Sequence, residues 1–255
     1  MSLIDQVTAA VQRAGAQISA GDPPENFDQL RTALDTNDTL VRNVLKPALL
    51  DLLPGSVWDD DEHGSGPVPA GDRWYVDPVG GNINPIHGMS DWNVGVSLVR
   101  DGRPELAVLH APVLDEMYTA SAGGGAFLNG HPIHASRKTD LAVARVSTGQ
   151  AMPTDDPTYP DLIGNSVAAM LRNALTVGVS LPATYQVALV AAGRMDAHWQ
   201  FHNVRAHIGP LLIAKEAGVL VTDLEGKPWE ITSDGYLAAA PGLHDAALDV
   251  LNGRH

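Results

Sequence analysis

Apolar residues recur at helical spacing from the start of the chain. Ile4, Val7, Val11, Ala14 and Ile18 share one face, and Ser2 with Asp5 three residues on has the pattern of a capped first turn. GDPPENF interrupts that face. A second helix is predicted from Asn37-Asp38, with Leu40, Val41, Val44, Leu45, Leu49 and Leu52 on one side and Pro54-Gly55 at its end. Residues 59–72, DDDEHGSGPVPAGD, read as an acidic loop rich in Gly and Pro. Beyond it the apolar period shortens to two. Strands are predicted over 74–76, 94–99, 105–110 and 116–121, with Asp101-Gly102 as a hairpin turn. GGGAFLNGHPI (123–133) is turn-rich. Short strands over 145–149 and 174–179 flank a helix over 162–173. Residues 184–199 read as a buried helix ended by Gly193 and then a strand. A helix over 208–218 stops at Gly218, VLVTDLEGKPW is a strand and turn, and LAAAPGLHDAALDVL closes with a strand and a helix. A helix pair, antiparallel strands and then mixed α and β predict layered α/β sandwiching, not a doubly wound parallel sheet.

Composition narrows the function. The chain has 255 residues, 44% of them hydrophobic, enough for one large domain or two lobes sharing an interface. We divide it into an α+β lobe over 1–140, carrying a site in the loop 59–88, and an α/β lobe over 141–255, as one continuous unit. A net charge of −14 repels phosphate backbones and anionic bilayers, so nucleic acid and membrane are not the expected partners. Cysteine is absent, which excludes disulfides and Cys metal sites and leaves the cytoplasm as the expected compartment. No apolar run reaches transmembrane length, and the early acid Asp5 argues against a signal peptide.

The stretch WYVDPVGGNINPIHG (74–88) has the form of an active-site loop. A strand reaches Asp77-Pro78 and turns at Gly80-Gly81-Asn82. DPVGGNINPIHG resembles the DPIDGTTNFVHG motif of the inositol monophosphatase family. APVLDEMYTASAGGGAFLNGHPIHAS resembles that family's DPVLDELFTAxxGGGAFLNGxPIxVS. ALVAAGRMDAHW and LLIAKEAGVLVTDLEGKPW resemble two further family segments, and DDEHG (60–64) stands where the family has GEESG. Each piece is a weak signal, but the ordered set, from about residue 5 to the C-terminus, is specific. The resemblance implies a five-layer αβαβα sandwich of the inositol monophosphatase/fructose-bisphosphatase type, a homodimer, and Mg²⁺-dependent hydrolysis of small phosphate monoesters.

Carried over residue by residue, the resemblance implies a divergent member with a degenerate metal site. The family's metal-binding Glu falls on Asp61, next to Glu62. The first motif Asp falls on Asp77, and the carbonyl used two residues later on Val79. The second motif Asp falls on Gly80, and the water-activating Thr on Asn82. The last acidic ligand falls on Ala206 or His207, depending on the anchor. The substrate-contacting Glu becomes Gln200, and a small-residue turn becomes Leu181-Pro182-Ala183-Thr184. Asp61, Asp77 and Val79 remain as a weak single metal site. His110, His202 and His207 are not the family's usual residues, and three imidazoles converging on the pocket would supply acid/base chemistry near neutral pH. Gly81, Asn82, Gln200, Arg205 and His110 are the candidate substrate contacts.

Three functions compete on these residues. The first is a repurposed enzyme that needs no cofactor and uses Asp77, Asp61, His202 and His207 to cyclise, isomerise or eliminate on a small molecule, in specialised biosynthesis. The second is a Mg²⁺-dependent phosphomonoesterase of inositol or sugar phosphates, with His207 in place of the last Asp. The third is a non-catalytic anion-binding or scaffold protein.

Overall fold

The computed structural model describes residues 1–19, 21–60, 66–150, 156–202 and 204–253. Helix α1 (Leu3–Gly15) starts as the sequence predicts. Ser2 Oγ accepts from the Asp5 N–H at 3.3 Å, and Asp5 Oδ2 accepts from the Ser2 N–H at 2.8 Å. Helix α2 (Phe27–Leu52) begins well before Asn37, because Asn26 Oδ1 accepts from the Gln29 N–H at 3.0 Å and caps it there. GDPPENF therefore breaks the chain only as far as Asn26.

The first sheet has seven strands in sequence order: β1 (Val57–Asp59), β2 (Asp72–Gly80), β3 (Asn93–Arg100), β4 (Arg103–Ala111), β5 (Glu116–Ser121), β6 (Gly125–Leu128) and β7 (His131–Pro132). Only the β1–β2 pairing is parallel. A four-residue helix α3 (Ile83–Ile86) follows β2. The second sheet runs β11-β12-β10-β8-β9, built from β8 (Arg145–Thr148), β9 (Thr176–Val179), β10 (Ala197–Gln200), β11 (Leu220–Thr222) and β12 (Tyr236–Ala239). Helices α4 (Tyr159–Leu171), α5 (Ala183–Ala191), α6 (Ile208–Glu216) and α7 (His244–Leu251) complete the chain.

The layers follow from which helices have a polar face. Helices α1 and α2 are amphipathic and cover one side of the first sheet, where Val7, Val11, Leu45 and Leu49 pack with Trp74, Val96, Leu98 and Val108. Helices α5 and α6 are apolar nearly all round, so they belong between two sheets. Val187, Val190, Leu211 and Ile213 meet Leu109 and Tyr118 of the first sheet and Tyr236 and Ala238 of the second. Helices α4 and α7 close the far side through Met170 and Val250 against Trp199 and Leu237. The result is the expected five-layer αβαβα sandwich. No helix among the described residues is long and apolar enough to cross a membrane.

Two local features position the site. The β2–β3 register shifts between Asp77 and Gly80, where Pro78 brings no N–H to the ladder, so the strand end bends out of the sheet. At the other end of α6, Glu216 reaches the β5–β6 turn. Its two carboxylate oxygens accept from the Gly123 and Gly125 N–H groups, both at 2.8 Å.

Candidate active site

The bent end of β2 opens onto a cavity of about 210 Å³. Asp77, Val79, Gly80 and Gly81 form one wall, Leu181 to Thr184 a second, and Gln200, Ala206 and His207 a third. Thr184 Oγ1 donates to Asn93 Oδ1 at 2.9 Å and lies 3.5 Å from Asp77 Oδ2. All three side chains are buried. A Cβ at Gly80 would fall 2.6 Å from Asp77 Oδ2, 2.7 Å from Asn93 Nδ2 and 2.9 Å from Thr184 Oγ1. The space that a second motif carboxylate would need is taken by this Asp77–Thr184–Asn93 group. Gly81 has φ +70°, and its Cβ would meet Pro182 at 2.8 Å.

Two helices start at this cavity. Helix α5 begins after Pro182 and α6 after His207, and neither has a side-chain cap. The opening N–H groups of α5 and the positive end of its dipole therefore stand at the cavity for a ligand, whereas the first N–H of α6, on Ile208, donates to the Arg205 carbonyl and Pro210 has none. His207 Nδ1 lies 2.9 Å from the Tyr236 hydroxyl. Tyr236 is fully buried, and burial pushes its phenol well above the ordinary range, so it stays protonated. In the tautomer in which that hydroxyl donates to Nδ1, the ring proton sits on Nε2. His198 lies behind, with Nδ1 2.8 Å from Ser147 Oγ. Burial, and then the neighbouring His207, lower its pKa to about 3. Gln200 Nε2 donates to the Tyr159 hydroxyl and the His202 carbonyl, both at 3.1 Å, while its buried Oε1 has no partner among the described residues.

The structure brings together Asp77, Val79, Gly81, Gln200 and His207 and leaves the other candidates outside the cavity lining. His202 is exposed, with its ring 5.1 Å from that of Tyr159. His110 lies on the opposite face of the first sheet, beside Gly15 of α1, where burial lowers its pKa. Alternation along β4 puts it with Leu106 and Val108, away from the Asp77 face. The three histidines therefore do not converge. Asn82 faces α2: it accepts from Asn37 Nδ2 at 2.8 Å and donates to the Leu34 carbonyl and Asp38. Arg205 is buried, donates to the Gly66 carbonyl at 2.9 Å and stands over the Tyr75 ring. Asp61 and Glu62 lie outside the described residues. Asn93 and Tyr236 escaped the sequence reading. Asn93 borders the motif loop, a signal that was available; nothing near Tyr236 marks it.

Among the described residues no three His, Asp or Glu side chains are grouped to hold a metal. Mg²⁺ is commonly held by one or two carboxylates, with substrate phosphate and waters completing its shell. A hard oxygen donor, Asp77, on the wall of the cavity fits one such ion. Asp77 and the Val79 carbonyl are the described groups that would hold it.

The family model for the inositol monophosphatase family matches residues 7–252. Among curated relatives, the chain is 34% identical over 185 residues to the fructose-1,6-bisphosphatase/inositol-1-monophosphatase of Thermotoga maritima, covering 71% of this chain and 69% of that one. It is 29% identical over 248 residues to the Nus factor SuhB of Pasteurella multocida, covering 92% and 90%. Among solved structures, the inositol monophosphatase of Anabaena superposes with a TM-score of 0.81 at 25% identity, over 98% of this chain and 95% of that one. That of Thermotoga maritima also gives 0.81, at 24% identity, over 100% and 98%. These matches overturn the reading in which no cofactor is required, because members of the matched family are Mg²⁺-dependent phosphatases. The scattered histidines remove the physical basis of that reading as well.

Proposed function

This chain belongs to the inositol monophosphatase family, and on that footing we propose that it is a Mg²⁺-dependent phosphomonoesterase of small polyol or sugar phosphates, centred on Asp77. The observation that carries this reading is the cavity itself. One buried carboxylate lines the cavity together with the uncapped start of the nine-residue helix α5. Such helix ends favour a phosphate dianion. A volume of about 210 Å³ is below the usual range for drug-sized ligands and suits a phosphate on a small polyol. The name of the Thermotoga relative supports the same substrate class.

Each residue has a part. Asp77, with the Val79 carbonyl, holds the ion, and Thr184 and Asn93 fix the carboxylate's position. When bound there, Mg²⁺ supplies Lewis acidity and neutralises phosphate charge. The N–H groups that open α5 orient the phosphate oxygens. His207, its tautomer set by Tyr236, presents an Nε2–H as a donor toward the leaving oxygen. Gln200 Oε1 accepts from a substrate hydroxyl. We carry the homodimer forward with this reading, to be checked by sedimentation.

The test is phosphate release from inositol 1-phosphate and fructose 1,6-bisphosphate, with Mg²⁺ and with EDTA. Turnover that needs Mg²⁺ and collapses in Asp77→Asn is expected. Turnover indifferent to EDTA and to Asp77→Asn would sink the proposal, as would no release at any Mg²⁺ concentration.

A further inference from the structure

A larger cavity, of about 420 Å³, opens at the C-terminal end of α6, the end away from the Asp77 pocket. Four separate chain segments build it: the entry to β2, the start of β4, the last turn of α6, and the residues after β11. Lys215 on α6 and Arg103 on β4 both line it. Lys215 Nζ donates to the Trp229 carbonyl at 3.3 Å and lies 5.1 Å from the centre of the Trp229 ring.

Lys215 complements the negative end of its helix, which is reason enough for one cation there. It does not account for the second. Arg103 comes from another element, and neither cation has a carboxylate within ion-pair distance among the described residues. Burial also holds the Lys215 pKa below its ordinary range, partly offset by Glu230. An anion beside the ammonium would relieve that cost. Val68, Pro104 and Ile231 make the rest of the wall apolar, and Glu230 adds one acceptor.

We propose that this cavity is a second ligand site, for a small organic oxyanion. Lys215 and Arg103 hold its carboxylate or phosphate-type group, and Val68, Pro104 and Ile231 pack its apolar body. Arg103 offers a planar fork to the oxyanion and Lys215 a point charge. Glu230 favours ligands that also carry a hydroxyl or N–H.

Calorimetric titration of the full chain with benzoate, phenylphosphonate and inorganic phosphate tests this. Phenylphosphonate carries no ester bond for a phosphatase to cut. Saturable binding of an aryl anion is expected, weakened about tenfold by Lys215→Gln or Arg103→Gln through loss of a charge-assisted contact. It should be unchanged by Asp77→Asn, and Lys215→Gln should leave phosphate-ester turnover as it was. Arg103 is exposed and Lys215, though partly desolvated, still reaches solvent, and the melting temperature of each variant checks that the fold survives the change. Binding that Asp77→Asn removes, binding indifferent to Lys215→Gln and Arg103→Gln, or no saturable binding of any probe would each overturn the proposal.

Discussion

Asp77 and Asp196 are both buried aspartates, and they are held in different ways. Asp196 is 1% exposed and takes Ser136 Oγ at 2.6 Å, Lys138 Nζ at 2.7 Å and the Arg145 N–H at 2.7 Å. Asp77 is 7% exposed, lines a cavity and has Thr184 Oγ1 3.5 Å from Oδ2. A carboxylate closed in by three short bonds has its acceptor capacity spent on the chain, and its work is to pin β8 to the segment before it. A carboxylate on a cavity wall can still take an ion or a substrate. Burial alone does not separate the two roles; the cavity beside Asp77 does.

Breaking the enclosed carboxylate, Asp196, should cost the most. Asp196→Ala strands the Lys138 ammonium and the Arg145 N–H, and should lower stability by about 3 kcal/mol in urea unfolding. The corresponding change at the site, Asp77→Asn, should cut turnover by about a hundredfold or more with a melting temperature close to wild type. If Asp77→Asn unfolds the protein and Asp196→Ala does not, the contrast is wrong. Gly80→Ala crowds Asp77, Asn93 and Thr184 with a Cβ, all short side chains with little room to yield. A loss of about 2 kcal/mol in stability is expected, together with reduced turnover. Both aspartate variants must be compared at one pH, because His198 adds a pH dependence of its own. Its folded pKa of about 3 lies below the ordinary 6.5. The unfolded chain therefore binds the extra proton first, and stability is full above pH 6.5 and falls as pH drops toward 3. The slope should be about 1.4 kcal/mol per pH unit, and His198→Gln should flatten it.

The same contrast explains what the sequence made legible. Features set by near neighbours were readable. The Ser2–Asp5 cap, the alternation in β3 to β5, and the Asp77-Pro78 break with its glycine turn all follow from a few adjacent residues. The start of α2 was missed because the Pro pair in GDPPENF reads as a longer interruption than the Asn26 cap allows. The site was readable where the motif carried it, at Asp77, Gly81 and Gln200. It failed where tertiary placement decides. One position along β4 puts His110 on the wrong face, and Tyr236 meets His207 only through the packing of β12 on α6. The polar group Asp77–Thr184–Asn93 joins the neighbouring strands β2 and β3 to the start of α5, and only its Thr184 member comes from far along the chain.

The clasp of Glu216 on the Gly123 and Gly125 amides has a consequence for handling the chain. A glycine-rich hairpin tip is usually where a protease cuts first and where an insertion is best tolerated. Here both flanking amides are tied to the end of a buried helix far away in sequence. Those amides should exchange with deuterium slowly, with the core instead of with the surface loops. The tip is a poor place to nick, tag or permute this protein.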